Sequence, residues 1–100
     1  MSLTKQQQIN TLNEFQENFA LLGSSTQEIA DELRTSPEKI EAILLLQPAT
    51  IEEPWILKNY LIEKLIEQGK TPIPFSALIG DYHDYWFLDT RKIEKRILTD

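Results

Sequence analysis

The residues of this chain whose types could bind a metal lie close together near its carboxyl end. Asp81, His83, Asp84 and Asp89 offer imidazole and carboxylate ligands, which suit zinc or manganese. His83 is the only histidine, however, so no second histidine stands at a metal-binding spacing from it. We therefore expect His83 to lie at the surface or against aromatic side chains, and we expect no metal, cofactor or small-molecule ligand.

Two pairs of glutamates have the residue type needed for acid–base chemistry. Glu52 and Glu53 precede a predicted helix, and Glu63 and Glu67 stand four residues apart within it. No nearby residue is typical of a nucleophile or of an oxyanion-stabilising donor, and the chain has no cysteine. A helix cap explains the first pair and a solvated helix face explains the second, so the sequence does not predict an enzyme.

Net charge limits the classes of partner. The 100 residues include 10 Lys and Arg against 16 Asp and Glu, a net charge of −6, which argues against a general polyanion-binding protein. Residues 1–57 account for all of this excess, with three cations against nine anions. The longest apolar run, Ala42–Leu46, is far shorter than the roughly 20 residues that span a bilayer. Since Met1–Gln8 shows no secretory signal either, we expect a soluble, cytoplasmic protein that does not associate with membranes.

Capping patterns predict the first two helices. Thr4 with Gln7 and Ser25 with Glu28 have the spacing of capping boxes. Gly23 stands where a residue in the left-handed conformation would end the first helix. Apolar residues recur every three or four positions between these caps, which is the period of an amphipathic helix.

Two further helices and a tail follow. Ser36 and Pro37 read as an N-cap and a proline in the first helical position of the third helix. The fourth helix is predicted over 53–69, and the Pro-Ile-Pro segment after it is expected to leave the helical core, because each proline favours extended backbone before it. Beyond this segment the spacing fits a short helix or a strand. We predict a helical core over 1–69 and a tail over 70–100 that packs on the core or on a partner subunit.

The second and third helices carry the pattern of a helix-turn-helix pair. They are separated by Arg34-Thr35-Ser36, the turn length of that motif, and Ala30 supplies the small residue that the helix crossing requires. Thr26–Leu33 resembles the second helix of lambda-repressor-like DNA-binding domains, and Ser36–Leu44 resembles the third. The fold class expected is all-α, a lambda-repressor-like bundle of four main helices with an aromatic C-terminal tail. The core residues expected to converge are Phe15, Phe19, Ile29, Ala30, Leu33, Ile40, Ile43, Leu61 and Leu65.

This resemblance implies a protein that binds double-stranded DNA with its third helix, but the outward face of that helix does not suit the task. The face is expected to present Ser36, Pro37, Glu38, Glu41, Ala42 and Leu45. It holds no Arg, Lys, Asn or Gln, the side chains that read base edges, and its two glutamates would approach phosphates. The candidate DNA contacts at this helix are Ser36 and Lys39. The remaining candidates form a basic run near the carboxyl end: Arg91, Lys92, Lys95 and Arg96.

Tyr82, Tyr85, Trp86 and Phe87 form the densest aromatic cluster, with four of the nine aromatic residues inside six positions. Cations are not interleaved among them, so stacking on single-stranded nucleic acid is not expected. Two readings stay open: the rings fold back on the helical core, or they bury against a second copy of the chain. The second reading predicts a homodimer.

Several blocks of the chain resemble a small bacterial family, domain-of-unknown-function family 2316. The blocks are Met1–Leu3, Glu17–Leu21, Ser36–Ala42, Pro54–Leu57, Pro72–Phe75 and Trp86–Leu88. The resemblance implies a fold and a connection with regulation, and it assigns no residue a role. Two hypotheses follow from the sequence: a helix-turn-helix transcription regulator, and a protein-interaction module that has kept the fold and lost DNA readout.

Overall fold

The computed structural model describes residues 4–47 and 52–76, together with Arg91, Ile93 and Arg96. The regular secondary structure among these residues consists of helices, joined by turns and irregular segments, and includes no strand. The helices are α1 (Lys5–Leu22), α2 (Thr26–Leu33), α3 (Pro37–Leu44) and α4 (Glu53–Glu67). The predicted all-α class with four main helices is confirmed for this part of the chain, and the lambda-repressor-like topology stays a prediction.

The start and end of α1 and the starts of α2 and α3 lie where the capping patterns predicted them, whereas α4 ends at Glu67, two residues before the predicted end at 69. The Thr4 hydroxyl accepts the Gln7 N–H while the Gln7 side chain accepts the Thr4 N–H, and Ser25 and Glu28 make the same reciprocal pair at α2. Gly23 ends α1 in the left-handed conformation with φ 77°, which glycine adopts without steric cost. Within the described residues, none of the helices has both the length and the apolar character needed to cross a bilayer.

The apolar faces of the four helices meet in one core. Of the nine residues predicted to converge, eight are buried, and Phe19 packs against them half-buried. Ala30 is fully buried on α2, the helix that packs most closely against α3. The core also contains side chains from α4 and from the segments beyond it that the prediction omitted: Trp55, Ile56, Leu57, Tyr60, Phe75 and Ile93.

The segment after α4 returns along α1, which corrects the expectation that its prolines carry the chain away from the helical core. The buried Asn18 side chain donates to the Ile73 carbonyl at 3.0 Å and accepts the Ile73 N–H at 2.8 Å. Two residues later the Phe75 ring packs edge-on against Phe15, with 5.0 Å between ring centroids. Because buried amides must find hydrogen-bond partners, the Asn18 pairing fixes where this segment lies.

Replacing Ala30 by leucine tests the packing of α2 on α3. We expect Ala30→Leu to lower the free energy of unfolding by about 1–3 kcal/mol, because a fully buried site cannot accept three more carbons without moving its neighbours. Urea unfolding followed by circular dichroism measures the change. The matched control is Ala20→Leu on the exposed face of α1; an equal effect of the two substitutions would contradict the packing described here.

Candidate functional site

The turn between α2 and α3 sets the direction of α3. Arg34 adopts a left-handed conformation with φ 58° and ψ 49°, which costs a non-glycine residue about 1 kcal/mol. The Thr35 N–H donates to the Ala30 carbonyl at 2.9 Å and secures the turn. The Ser36 hydroxyl then accepts the Lys39 N–H at 3.2 Å. Ser36 is therefore the N-cap of α3, in agreement with the sequence.

The outward face of α3 is acidic and apolar. Glu38 and Glu41 are exposed, and Leu45, the C-cap residue, has 55% of its surface exposed. The last turn of α3 contains no basic residue, so no side chain there offsets the partial negative charge at the carboxyl end of the helix. Two carboxylates and a helix carboxyl end thus place negative potential along one exposed strip.

Lys39 points into the protein and not toward this strip. Its ammonium lies 2.7 Å from a carboxylate oxygen of Glu53, with side-chain exposures of 10% for Lys39 and 1% for Glu53. This short contact therefore joins two opposite charges that are both largely withdrawn from water. A buried carboxylate needs a compensating charge, and Lys39 supplies it. The ion pair joins α3 to the first turn of α4.

This burial corrects the interpretation of Glu52 and Glu53 as a helix cap. Glu52 is the N-cap residue of α4 by position, but its side chain makes no capping hydrogen bond, and both glutamates are buried. Pro54 takes the first-turn position that needs no hydrogen bond. Local sequence could not reveal this, because the burial of Glu53 depends on a cation from another helix.

A groove lies beside the acidic strip. It has a volume of about 280 Å³ and is bordered by side chains from α1, from the start of α2 and from α3. Its lining residues are Gln16, Phe19, Thr26, Glu41, Leu44 and Leu45. The Gln16 amide donates to the Leu44 carbonyl at 3.2 Å and ties the end of α3 to α1. The groove therefore has apolar walls and an acidic border.

On another face of α4, charged groups cluster around Tyr60. The Tyr60 hydroxyl donates to the Glu32 carboxylate of α2, and Lys64 lies 3.1 Å from the same carboxylate. The hydrogen bond from Tyr60, followed by that from Lys64, lowers the pKa of Glu32. Burial, and then the bond to Glu32, raises the pKa of the Tyr60 phenol. Tyr60 and Glu32 therefore form a neutral donor and an ionised acceptor over the ordinary pH range.

The predicted DNA contacts do not assemble into one basic surface in the described residues. Arg96 pairs with Glu63, which is exposed as the predicted solvated helix face requires, and the Arg96 guanidinium lies 6.0 Å from the Tyr60 ring centroid. Arg91 is exposed. Lys39 would have to leave its buried ion pair to reach DNA. Lys92 and Lys95 lie outside the described residues, and contact with DNA stays a prediction for every one of these candidates.

Other predicted residues also lie outside the described part of the chain. These are the candidate metal ligands Asp81, His83, Asp84 and Asp89, and the candidate dimer-interface residues Tyr82, Tyr85, Trp86 and Phe87. The expected absence of a metal and the expected homodimer therefore stay predictions. Among the described residues, no three His, Asp or Glu side chains are placed to share a metal ion.

Comparison with known proteins identifies the family. The sequence model of a bacterial family, described as "Uncharacterized protein conserved in bacteria (DUF2316)", matches residues 1–89. The chain belongs to this family. No curated protein matches the chain, and no solved structure matches it.

Removing one member of the Lys39–Glu53 pair tests whether it fixes α3 to α4. We expect Lys39→Met to lower the free energy of unfolding by about 3–5 kcal/mol, because it leaves a buried carboxylate without its compensating cation. Lys39→Met/Glu53→Leu should recover most of that loss. As a control, Lys64→Met removes a more exposed lysine and should cost far less, because exposed ion pairs contribute little to stability. Urea unfolding measures all three; a small cost for Lys39→Met would place the pair in solvent.

The Tyr60–Glu32 bond should make stability depend on pH. A carboxyl whose pKa is lowered on folding stabilises the protein above its unfolded pKa of about 4.3, and this is lost as pH falls through the folded value. Tyr60→Phe keeps the buried ring and removes the hydroxyl. We expect its deficit in unfolding free energy to be full at neutral pH and to shrink below about pH 4. Urea unfolding at stepped pH measures the deficit, and a constant deficit would contradict the assignment.

Proposed function

We propose that this member of the bacterial DUF2316 family is a protein-interaction module, and that it binds its partner through the outward side of α1 and α3. The observation that carries the proposal is the composition of the α3 face. Glu38, Glu41 and Leu45 are exposed there, while the lysine of the same helix is held by Glu53. The role proposed is binding and not catalysis.

The charge of this face argues against contact with a nucleic acid. Affinity for DNA comes largely from Lys and Arg side chains that replace counterions at phosphates. Glu38 and Glu41 would instead bring two like charges toward the backbone. Moving Lys39 out to a phosphate would break its ion pair with the buried Glu53, at a cost of about 3–5 kcal/mol. One contact between a lysine and a phosphate does not contribute enough binding free energy to offset this cost.

The same face has the anatomy of a protein interface. Cores of protein interfaces are apolar and are surrounded by a polar border. Leu45 is more than half exposed, and Phe19 beside it in the groove is half-buried. Gln16, Thr26 and Glu41 border these two side chains. An exposed leucine next to a preformed groove is the type of anchor point that a partner side chain can cover.

The second candidate is a DNA-binding transcription regulator of the helix-turn-helix type. It is favoured by the close packing of α2 on α3 through a three-residue turn and by the Ser36 cap, which leaves the amino end of α3 near the surface. Helix amino ends favour phosphate groups. Under this candidate Ser36 and the exposed Arg91 are the described residues that would contact DNA.

Fluorescence anisotropy with a labelled mixed-sequence DNA duplex separates the two candidates. We expect the wild-type chain to bind more weakly than the usual range of non-specific affinity, a Kd of about 10⁻⁴ to 10⁻⁶ M at physiological salt. Glu41→Lys should bind the duplex no more tightly than the control Glu67→Lys, which changes the net charge equally on the exposed end of α4, because α3 does not face DNA under this proposal. Tight, strongly salt-dependent binding by the wild type, lost in Ser36→Ala and Arg91→Ala, would overturn the proposal and favour the regulator.

A further inference from the structure

We infer that the partner presents a basic amphipathic helix, which places an apolar side chain in the groove between α1 and α3 and sets its cations against Glu38, Glu41 and the carboxyl end of α3. This inference rests on the proposed function, and it adds the chemistry of the partner.

The groove suits a side chain better than a free small molecule. Pockets for small ligands enclose about 300–1,000 Å³ and bury most of the ligand. This groove holds about 280 Å³ and is partly open to solvent. Phe19 and Leu44 form its apolar walls, and Leu45 stands at its edge with 55% of its surface exposed. A leucine-sized or aromatic side chain from a partner would cover all three.

The negative charges around the groove favour a partner that carries cations. Glu41 borders the groove itself, and Glu38 lies one helical turn earlier on the same exposed face. The carboxyl end of α3 adds partial negative charge that no basic residue in its last turn offsets. Lys39 is engaged with Glu53, and the Lys70 ammonium donates to the Leu21 carbonyl. The exposed Arg34 precedes the amino end of α3, and Lys5 lies about 21 Å along α1 from Phe19, at 1.5 Å per residue. None of these four cations lines the groove. Repulsion from the same carboxylates disfavours nucleic acid and anionic lipid surfaces as occupants.

The form of the site favours a helix. A groove between two helices receives an amphipathic helix through anchors spaced three or four residues apart, so that one apolar stripe faces the groove. Cations on either side of such a stripe would lie over Glu38 and Glu41, which are themselves three residues apart on α3. One short helical segment of the partner can therefore supply both the apolar anchor and the cations on either side of it.

The probe is a synthetic peptide of about 15 residues with leucines at helical spacing and lysines elsewhere, long enough to form a helix on binding. Its control is a peptide of identical composition in scrambled order, which keeps the charge and loses the apolar stripe. Fluorescence anisotropy at physiological salt measures the binding of the labelled peptides to the full chain, and amide NMR shifts locate the contact. We expect micromolar affinity for the ordered peptide, weaker binding of the scrambled one, and shifts confined to α1, α3 and the start of α2.

Matched variants decide whether the groove is the site. Leu45→Ala and Glu41→Gln should each weaken binding of the ordered peptide about five-fold or more, the change that corresponds to 1 kcal/mol. The controls are Ile66→Ala and Glu67→Gln on α4, where Ile66 is 60% exposed; these should bind as the wild type does. Thermal unfolding checks that the four variants are folded, which their exposed positions favour.

Several outcomes would overturn the inference. They are equal binding of ordered and scrambled peptides, equal effects of the α3 and α4 substitutions, and absence of binding at millimolar peptide. A dimer that dissociates in Leu45→Ala, detected by analytical ultracentrifugation, would assign the groove to a second copy of the chain. Each of these leaves the proposed function standing if the wild type still fails to bind duplex DNA, whereas tight DNA binding would remove the proposed function itself.

Discussion

One buried ion pair determines what α3 can present to the outside. The ammonium of Lys39 and the carboxylate of Glu53 are 2.7 Å apart and almost enclosed by protein. Separating them would leave a charge in a poorly solvated place, which costs more than an exposed salt bridge contributes. The pair therefore fixes the rotation of α3 against α4. It also removes from solvent the cation of a helix whose exposed side is otherwise acidic.

Hydrogen bonds between other pairs of elements also hold the helices in this arrangement. Gln16 ties the end of α3 to α1, and Asn18 holds the segment after α4 against α1 through both polar atoms of its amide. Tyr60 joins α4 to α2 through Glu32. Together these bonds leave the groove beside Leu45 as a preformed feature, and preformed sites lose less conformational entropy when a partner binds.

Features encoded within a few residues could be predicted from the sequence. The capping boxes at Thr4 and Ser25, the left-handed Gly23 and the Ser36–Pro37 start of α3 all depend on hydrogen bonds between near neighbours. The acidic outward face of α3 also follows from its period, because Ile40 and Ile43 face the core.

What the sequence could not predict depends on pairs that are distant along the chain. The partner of Lys39 lies on the next helix, and the partner of Asn18 is 55 residues away. The apolar periodicity of the helices does not indicate which glutamate pairs with which lysine. For the same reason the sequence alone suggested a helix cap for Glu53 and a DNA contact for Lys39, because their pairing depends on how α3 packs against α4.

The most direct test of this account is the reactivity of each lysine toward a brief pulse of acetic anhydride, read by mass spectrometry of the folded and the unfolded chain. The account predicts that Lys39 is protected in the folded protein relative to the exposed Lys5 and that the two react alike after unfolding; equal modification of Lys39 and Lys5 in the folded protein would contradict it.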